Sequence, residues 1–371
     1  MRVAAPRGVR MADLRKKIIN FAVVTLQVIE MKHQFISHEP FTLETGHTIP
    51  GIRIAYHTFG TLSPRKDNVV WVMHALTANS DVADWWPHTV EEGKFLDPAK
   101  HFVVCANVVG SCYGSSGPAS EGADGSAPQL GDFPDVTVRD MVKAHRLLAR
   151  HLGIGRLQTV IGSSLGGFQA LEWMCEAPEE IGRAVLVATD YRCRPWLAAI
   201  NKSMYMAIEA DATYGEPRPD AARKGLAAAR SIGLLSYRSH AAYDSTQDDS
   251  ALEHGPFERR AHSYQAYQGR KLTERYDVYS YVKMCRSTDS HDLSRGRGSM
   301  EEAMRRITMP CLVVAISSDI LFPPAYHREM ADMLPDARFE VIDSDFAHDG
   351  FLIEHAKLDA LIQKFYDETE G

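Results

Sequence analysis

Hydrophobic positions along this chain fall into two rhythms, and their order predicts the architecture. Residues 35–56 alternate polar and apolar side chains around Glu44-Thr45-Gly46-His47, the pattern of a hairpin. Residues 68–73, 101–109, 157–161 and 183–189 are short, nearly continuous apolar runs that read as buried strands. Between them the spacing turns helical. Thr137-Val138-Arg139-Asp140 has the form of an N-cap box, and Met141, His145, Leu148 and Leu152 then recur at helical spacing toward Gly153, a C-cap candidate. Residues 168–174 form a second helical run directly after the strand at 157–161. Strands alternating with helices predict a mostly parallel sheet covered on both faces.

The alternation stops at Tyr191. From there to Arg306 the chain is polar, aromatic and largely helical without an evident strand, and strands resume at 310–316 and 338–342. The expectation is an α/β core of residues 32–190 and 307–371, with residues 191–306 inserted between late strands as a helical lid over the sheet's C-terminal edge. Residues 1–31 stand apart. Arg2, Arg7, Arg10, Arg15, Lys16 and Lys17 precede a short apolar run at 18–24, which imitates a signal peptide, but no convincing small-residue cleavage site follows. This stretch is read as an upstream choice of start codon or a disordered extension.

Composition narrows the functional classes. Over 371 residues the hydrophobic fraction is 45% and the charged fraction 24%, as in soluble globular proteins. A net charge of -7 argues against nucleic acid, and no basic stripe offers itself to an anionic membrane. No stretch is long and apolar enough to span a bilayer. The six cysteines are scattered without a C-x-x-C pair, which suggests a reducing cytosol, hence a cytoplasmic protein, and no structural zinc.

The candidate chemistry begins at Gly162-Ser163-Ser164-Leu165-Gly166, set between a strand and a helix. Gly-x-Ser-x-Gly in that setting is a nucleophile elbow: a tight turn exposes the Ser164 hydroxyl, and glycines two residues to either side avoid collision with neighbouring backbone. The bare pattern also arises by chance, so partners decide it. Such a serine requires an acid and then a histidine after later strands. Asp319 ends the strand resumed at residue 310, and His348 follows the next strand. His348 would take the Ser164 proton while Asp319 fixes the tautomer and stabilises the imidazolium. Alone, Asp319 reads as a turn cap and His348 as a satisfied surface histidine; the ordered set favours catalysis. An oxyanion hole would use the backbone N–H groups of Leu165 and of Leu76, in the loop His74-Ala75-Leu76-Thr77. The Gly-rich loop at 110–118 lacks a following Lys-Ser/Thr pair and reads as an active-site-facing loop, not a phosphate cradle.

Several separated motifs share one resemblance. His74-Ala75-Leu76-Thr77, residues 107–118, Asp132-Phe133-Pro134, residues 162–173, residues 318–323 and His348-Asp349-Gly350-Phe351-Leu352 together resemble the homoserine O-acetyltransferases of the α/β-hydrolase superfamily, from about Phe41 onward. Residues 225–230, Tyr237 and residues 263–269 of the lid agree. Two departures are visible: the elbow reads Gly-Ser-Ser-Leu where the family commonly has Gly-Gly-Ser-Met, and Ala347 stands where a glycine commonly precedes the histidine. Both touch pocket shape.

The resemblance implies an acyl transfer in two halves. Ser164 attacks acetyl-CoA, serving as co-substrate with no bound cofactor or metal, and the acyl-enzyme then passes its acetyl group to the γ-hydroxyl of L-homoserine. It further implies that Arg230 and Tyr237 hold the homoserine carboxylate, that Asp349 holds its ammonium, and that the enzyme is a homodimer joined through lid helices. Without it, Arg230 would read as a lid salt bridge and Asp349 as a helix cap. Trp85, Trp86 and Trp196 are candidates to line the access path, core packing being the commoner fate of tryptophan. A succinyl donor, a serine acceptor, an esterase or thioesterase with the same triad, and a catalytically silent binding protein of this fold remain open on the sequence.

Overall fold

Strands that are apolar throughout need cover on both faces, and the fold supplies it. The computed structural model describes residues 31–249 and 257–369; the expectation for the N-terminal stretch falls almost entirely outside them. In chain order come β1 (Met31–Ser37), the short β2 (Phe41–Thr42) and β3 (Thr48–Ile49), β4 (Ile52–Phe59), β5 (Val69–Met73), β6 (Phe102–Ala106), α1 (Val138–His151), β7 (Leu157–Ser163), α2 (Leu165–Glu176) and β8 (Ile181–Val187). After an insert come β9 (Cys311–Ile316), α8 (Pro324–Met333), β10 (Ala337–Ile342) and α9 (His355–Thr369). The insert holds α3 (Pro195–Glu209), α4 (Arg223–Tyr237), α5 (His240–Gln247), α6 (Arg260–Thr273) and α7 (Val278–Asp289).

Eight strands form one sheet in the order β1-β4-β6-β5-β7-β8-β9-β10. Neighbours from β6 through β10 pair in parallel, while β4 runs antiparallel to both β1 and β6. Alternation along each strand divides the core in two. Val69, Trp71 and Met73 of β5 pack with α1 and α2 on one face. Val70 and Val72 pack on the other with Trp86, Leu358, Ile362 and Phe365.

Strand ends fall where polar side chains take over from the ladder. The run at 68–73 starts pairing at Val69, because the Asn68 side-chain amide donates to the carbonyls of Thr61 (3.0 Å) and Lys100 (3.2 Å). The run at 101–109 leaves the sheet after Ala106. There Asn107 donates to Ser80 Oγ (2.7 Å) and the Tyr113 carbonyl (2.9 Å), so Val108 and Val109 are buried without being strand. Residues 35–56 do form a hairpin, built as the β1–β4 pair with the β2–β3 ribbon at its tip. The capping box at α1 is complete, with Thr137 and Asp140 bonding each other's backbone, and Gly153 takes φ 67° just past the helix.

The insert is pinned at its base. The Cys193 N–H donates to the His291 carbonyl (2.8 Å) and the Leu293 N–H to the Tyr191 carbonyl (3.1 Å), so the chain leaves and returns along one short antiparallel contact. Buried Glu172 of α2 adds an ionic tie, accepting from Arg139 of α1 (3.3 Å) and from Arg297 beyond α7 (2.6 Å). All six cysteines are free thiols, and no described helix is long and apolar enough to cross a membrane.

Because Thr137 satisfies an otherwise orphaned N–H of α1, Thr137→Ala should lower unfolding free energy by about 1 kcal/mol. Urea unfolding followed by circular dichroism measures it; an unchanged midpoint would show the cap to be idle.

Candidate active site

The turn between β7 and α2 is forced by what surrounds it. Ser164 adopts φ 54° and ψ -124°, a conformation rarely open to a residue with a side chain. A Cβ on Gly162 would sit 2.2 Å from the Gly166 carbonyl oxygen, and one on Gly166 2.0 Å from that of Met73, so the flanking positions admit only glycine. The Ser164 carbonyl accepts from the Thr189 hydroxyl (2.8 Å) and the Gly167 N–H (2.9 Å), and its own N–H donates to Val187 of β8 (3.1 Å). Thr189 is held in turn by His327, whose Nε2 accepts the Thr189 N–H at 2.9 Å.

The structure brings Ser164, His348 and Asp319 into one line. His348 Nδ1 lies 2.8 Å from Asp319 Oδ2, and His348 Nε2 lies 3.0 Å from Ser164 Oγ. A carboxylate only accepts, so Nδ1 carries the proton and Nε2 is left as acceptor for the serine hydroxyl. The other oxygen of Asp319 accepts the N–H groups of Leu321 (2.7 Å) and Phe322 (3.0 Å), which fixes the carboxylate. All three side chains are buried or nearly so. Ala347, just before the histidine, sits at φ 50°, a left-handed conformation that explains why glycine suits this place; its N–H is held by Ser318 Oγ at 2.9 Å.

Around the Leu76 loop every carbonyl is occupied. That of Ala75 accepts from His74 Nδ1 (2.8 Å) and the Ala78 N–H (3.1 Å), and that of Leu76 from the Tyr276 hydroxyl (3.4 Å). That of Thr77 accepts from Arg275 (2.6 Å) and the Tyr113 hydroxyl (3.4 Å). Gln169 ties this loop to the elbow: its Nε2 donates at 3.3 Å to both the His74 and the Leu165 carbonyls, while its Oε1 accepts from His145 Nε2 (3.1 Å). One buried amide therefore spans the two segments that carry the Leu76 and Leu165 N–H groups.

Ser164 and His348 open into a cavity of about 450 Å³ whose walls also include Leu76, Leu165, Phe168, Arg230, Tyr237 and Asp349. Arg230 lies with its guanidinium 5.4 Å from the Tyr237 ring centre and has no carboxylate partner among the described residues, so it is not a salt bridge of the insert. Burial pushes the Tyr237 phenol up to about 12, against the pull of Arg230. Asp349 caps no helix with its side chain; its Oδ2 accepts from Arg238 at 2.9 Å. Of the three tryptophans, only Trp85 lines the cavity. Trp86 is wholly buried, its indole donating to the Phe351 carbonyl (3.0 Å), and Trp196 is 49% exposed on α3.

Four site contacts were beyond the motifs. Gln169 had a signal, a polar residue within a helical run that is otherwise mostly apolar. The Thr189–His327 pair, Arg238 on Asp349, and Arg275 with Tyr276 on the Leu76 loop join residues so far apart in the chain that spacing carries nothing about them.

A family model described as the alpha/beta hydrolase fold matches residues 68–354. A homoserine O-acetyltransferase of Cyclobacterium marinum is 39% identical over 344 residues, which cover 92% of this chain and 97% of that protein. Among solved structures, homoserine O-acetyltransferase from Bacillus anthracis is similar with a TM-score of 0.84 at 24% identity, over 91% of this chain and 97% of that one. Esterase E22 is similar with a TM-score of 0.81 at 21% identity, over 91% of this chain and 100% of that one. Identities that low carry the fold alone, which a transferase and an esterase share.

Burial pushes His327 down to about 4, with the Asp319 charge opposing. The folded protein thus keeps this imidazole neutral where the unfolded chain protonates it, with an ordinary value near 6.5. Its contribution is whole above about pH 6.5 and is lost as pH falls toward 4. His327→Gln keeps an acceptor for the Thr189 N–H and removes the titration. The unfolding free energy of the native protein relative to that variant should therefore fall on acidification by up to about 1.4 kcal/mol per pH unit. Urea midpoints from pH 7 to 4.5 measure the difference; parallel curves would refute it.

Proposed function

The chain belongs to the homoserine O-acetyltransferase family of the α/β-hydrolase fold, and from that membership we propose that it moves an acetyl group from acetyl-CoA to the γ-hydroxyl of L-homoserine through an acyl-enzyme on Ser164. His348 Nε2 takes the Ser164 proton as Oγ attacks the thioester carbon. The C–S bond breaks, and the thiolate of CoA leaves with the proton that His348 returns. In the second half His348 takes the proton of the homoserine hydroxyl, which attacks the ester carbonyl; the C–O bond to Ser164 breaks and the serine is reprotonated. The negative oxygen of both tetrahedral intermediates would be met by the N–H groups of Leu76 and Leu165, neither of which donates to a backbone carbonyl among the described residues. Asp319 holds the imidazolium formed in each half.

What supports homoserine as acceptor is the charge arrangement beside the triad. A zwitterionic amino acid needs a cation for its carboxylate and an anion for its ammonium. Arg230 offers an uncompensated guanidinium with Tyr237 beside it, and Asp349 keeps one carboxylate oxygen after Arg238 has taken the other. An ester hydrolase, the activity named for esterase E22, would have no use for that pair. Residues 191–306 act as a lid that narrows access, so that homoserine outcompetes water for the acyl-enzyme. The product carries a good leaving group on its side chain and would serve methionine biosynthesis. The six free thiols suit a cytoplasmic enzyme. Apolar side chains exposed on the lid, Trp196 (49%), Met206 (60%), Leu235 (57%) and Tyr267 (50%), favour a homodimer through these helices.

The decisive experiment follows release of CoA thiol from acetyl-CoA and from succinyl-CoA, with and without L-homoserine. Release from acetyl-CoA should depend on homoserine and fall by about 10⁴-fold or more in Ser164→Ala. Arg230→Gln should lower kcat/KM for homoserine by about 10²-fold. Release indifferent to homoserine would mean a hydrolase, and preference for succinyl-CoA would replace the donor. Dimerisation is tested by sedimentation; Met206→Glu with Leu235→Glu should yield monomers, and a monomeric native protein would overturn that assignment.

A further inference from the structure

The charges at the mouth of the cavity do not balance. Its wall carries five charged side chains, Asp84, Arg230, Lys271, Arg275 and Asp349. Asp349 is paired with Arg238, and Arg230 stands over the Tyr237 ring near the triad. Lys271, near the end of α6, has no hydrogen-bond or ion-pair partner among the described residues. Arg275, one helical turn further, bonds only to neutral oxygens, the Thr77 carbonyl (2.6 Å) and the Tyr113 hydroxyl. Both are exposed, and Asp84 is within ion-pair distance of neither. Two uncompensated cations four residues apart at one cavity rim are a local exception on a chain of net charge -7.

We propose that Lys271 and Arg275 form a receptor for the phosphate groups of the acyl donor. This rests on the reading of the protein as a CoA-dependent transferase. A cavity of about 450 Å³ accommodates an acyl group, much of the pantetheine arm and an amino acid, which leaves the nucleotide and its phosphates at the rim. Guanidinium and ammonium groups are the side chains that bind phosphate, and Arg275 retains free N–H groups after its two bonds. Arg275 also positions the reaction. Its bond to the Thr77 carbonyl holds the loop that presents the Leu76 N–H, so the side chain that receives the donor's phosphates also fixes the loop facing the donor's carbonyl.

The test compares two thioesters that share the acetyl group and differ in phosphate. Homoserine-dependent thiol release is measured with acetyl-CoA and with S-acetyl-N-acetylcysteamine, which has none. In Lys271→Glu the preference for acetyl-CoA, as the ratio of the two kcat/KM values, should fall at least tenfold, mainly through KM for acetyl-CoA, and added salt should erode the native preference. Arg275→Gln should lose the same preference and also lower kcat with both donors, because the loop loses its tie. Lys364→Glu, the same charge change on the distant α9, should leave the ratio unmoved.

Either of two results overturns the inference alone: a ratio that stays constant in both mouth variants while the native enzyme transfers acetyl to homoserine, or an equal fall in Lys364→Glu. Absence of homoserine-dependent release from either thioester in the native protein overturns the transferase reading itself, and this inference with it.

Discussion

The backbone of Ser164 is the constraint on which the site depends. Its φ of 54° with ψ -124° costs on the order of 1–3 kcal/mol, which a serine would escape if it could. Escape is blocked on every side. Gly162 and Gly166 leave no room for the turn to shift against each other or against β5. The serine carbonyl is clamped by Thr189, whose backbone rests on His327, and its N–H is committed to β8. The strain is supported by the rest of the sheet, since the groups that hold it come from β5, β8 and the segments that follow them. That is why the catalytic machinery sits on the parallel part of the sheet and the antiparallel β1–β4 pair at its edge carries none of it.

Electrostatic preorganisation follows from the same economy of hydrogen bonds. A loop whose carbonyls are free can flip a peptide and present an oxygen where an N–H is needed. Here the carbonyls of Ala75, Leu76 and Thr77 are all engaged, and those of His74 and Leu165 share Gln169. If the amides of Leu76 and Leu165 form the proposed oxyanion hole, this bonding would fix them before any substrate arrives, so that little reorganisation is needed when negative charge develops. The histidines beneath them stay uncharged. Burial pushes His74 to about 4 and His145 to about 3, which keeps their hydrogen-bond directions fixed across the neutral range.

Much of this was legible in the chain, and the division between what was and was not is physical. Elements with a period were readable: the apolar runs of β5, β7 and β9, the capping box of α1, the elbow glycines. The order Ser164, Asp319, His348 was readable because this fold places strand ends in chain order, so three positions in sequence become three positions in a row. The ends of runs were less so. Asn68 and Asn107 look like parts of strands, and only the carbonyls they meet across the fold decide otherwise. Tryptophans 85 and 86 are adjacent and indistinguishable in sequence, yet Trp85 lines the cavity while Trp86 is wholly buried, their rings stacked at 5.3 Å. Arg238 is the clearest miss: it follows Tyr237 directly, and nothing local says that it reaches Asp349 across 111 positions of chain.

The insert does more than cover the site. Arg275 and Tyr276, next to one another at the end of α6, grip two consecutive carbonyls of the Leu76 loop, and Arg238 beside α4 grips the residue after His348. The Leu76 loop and the segment of His348 are therefore each tied to the insert by side chains that it contributes. A bare core of sheet and flanking helices would retain Ser164, His348 and Asp319 but lose those ties, along with Arg230 and Tyr237. Under the proposed function, transfer in place of hydrolysis would rest on how firmly an acceptor is held against an already formed site. On the same reading, two of the three acceptor contacts, Arg230 and Tyr237, come from the same inserted segment as the side chains that tie the Leu76 loop and Asp349, so a change in acceptor binding there would act on site geometry as well.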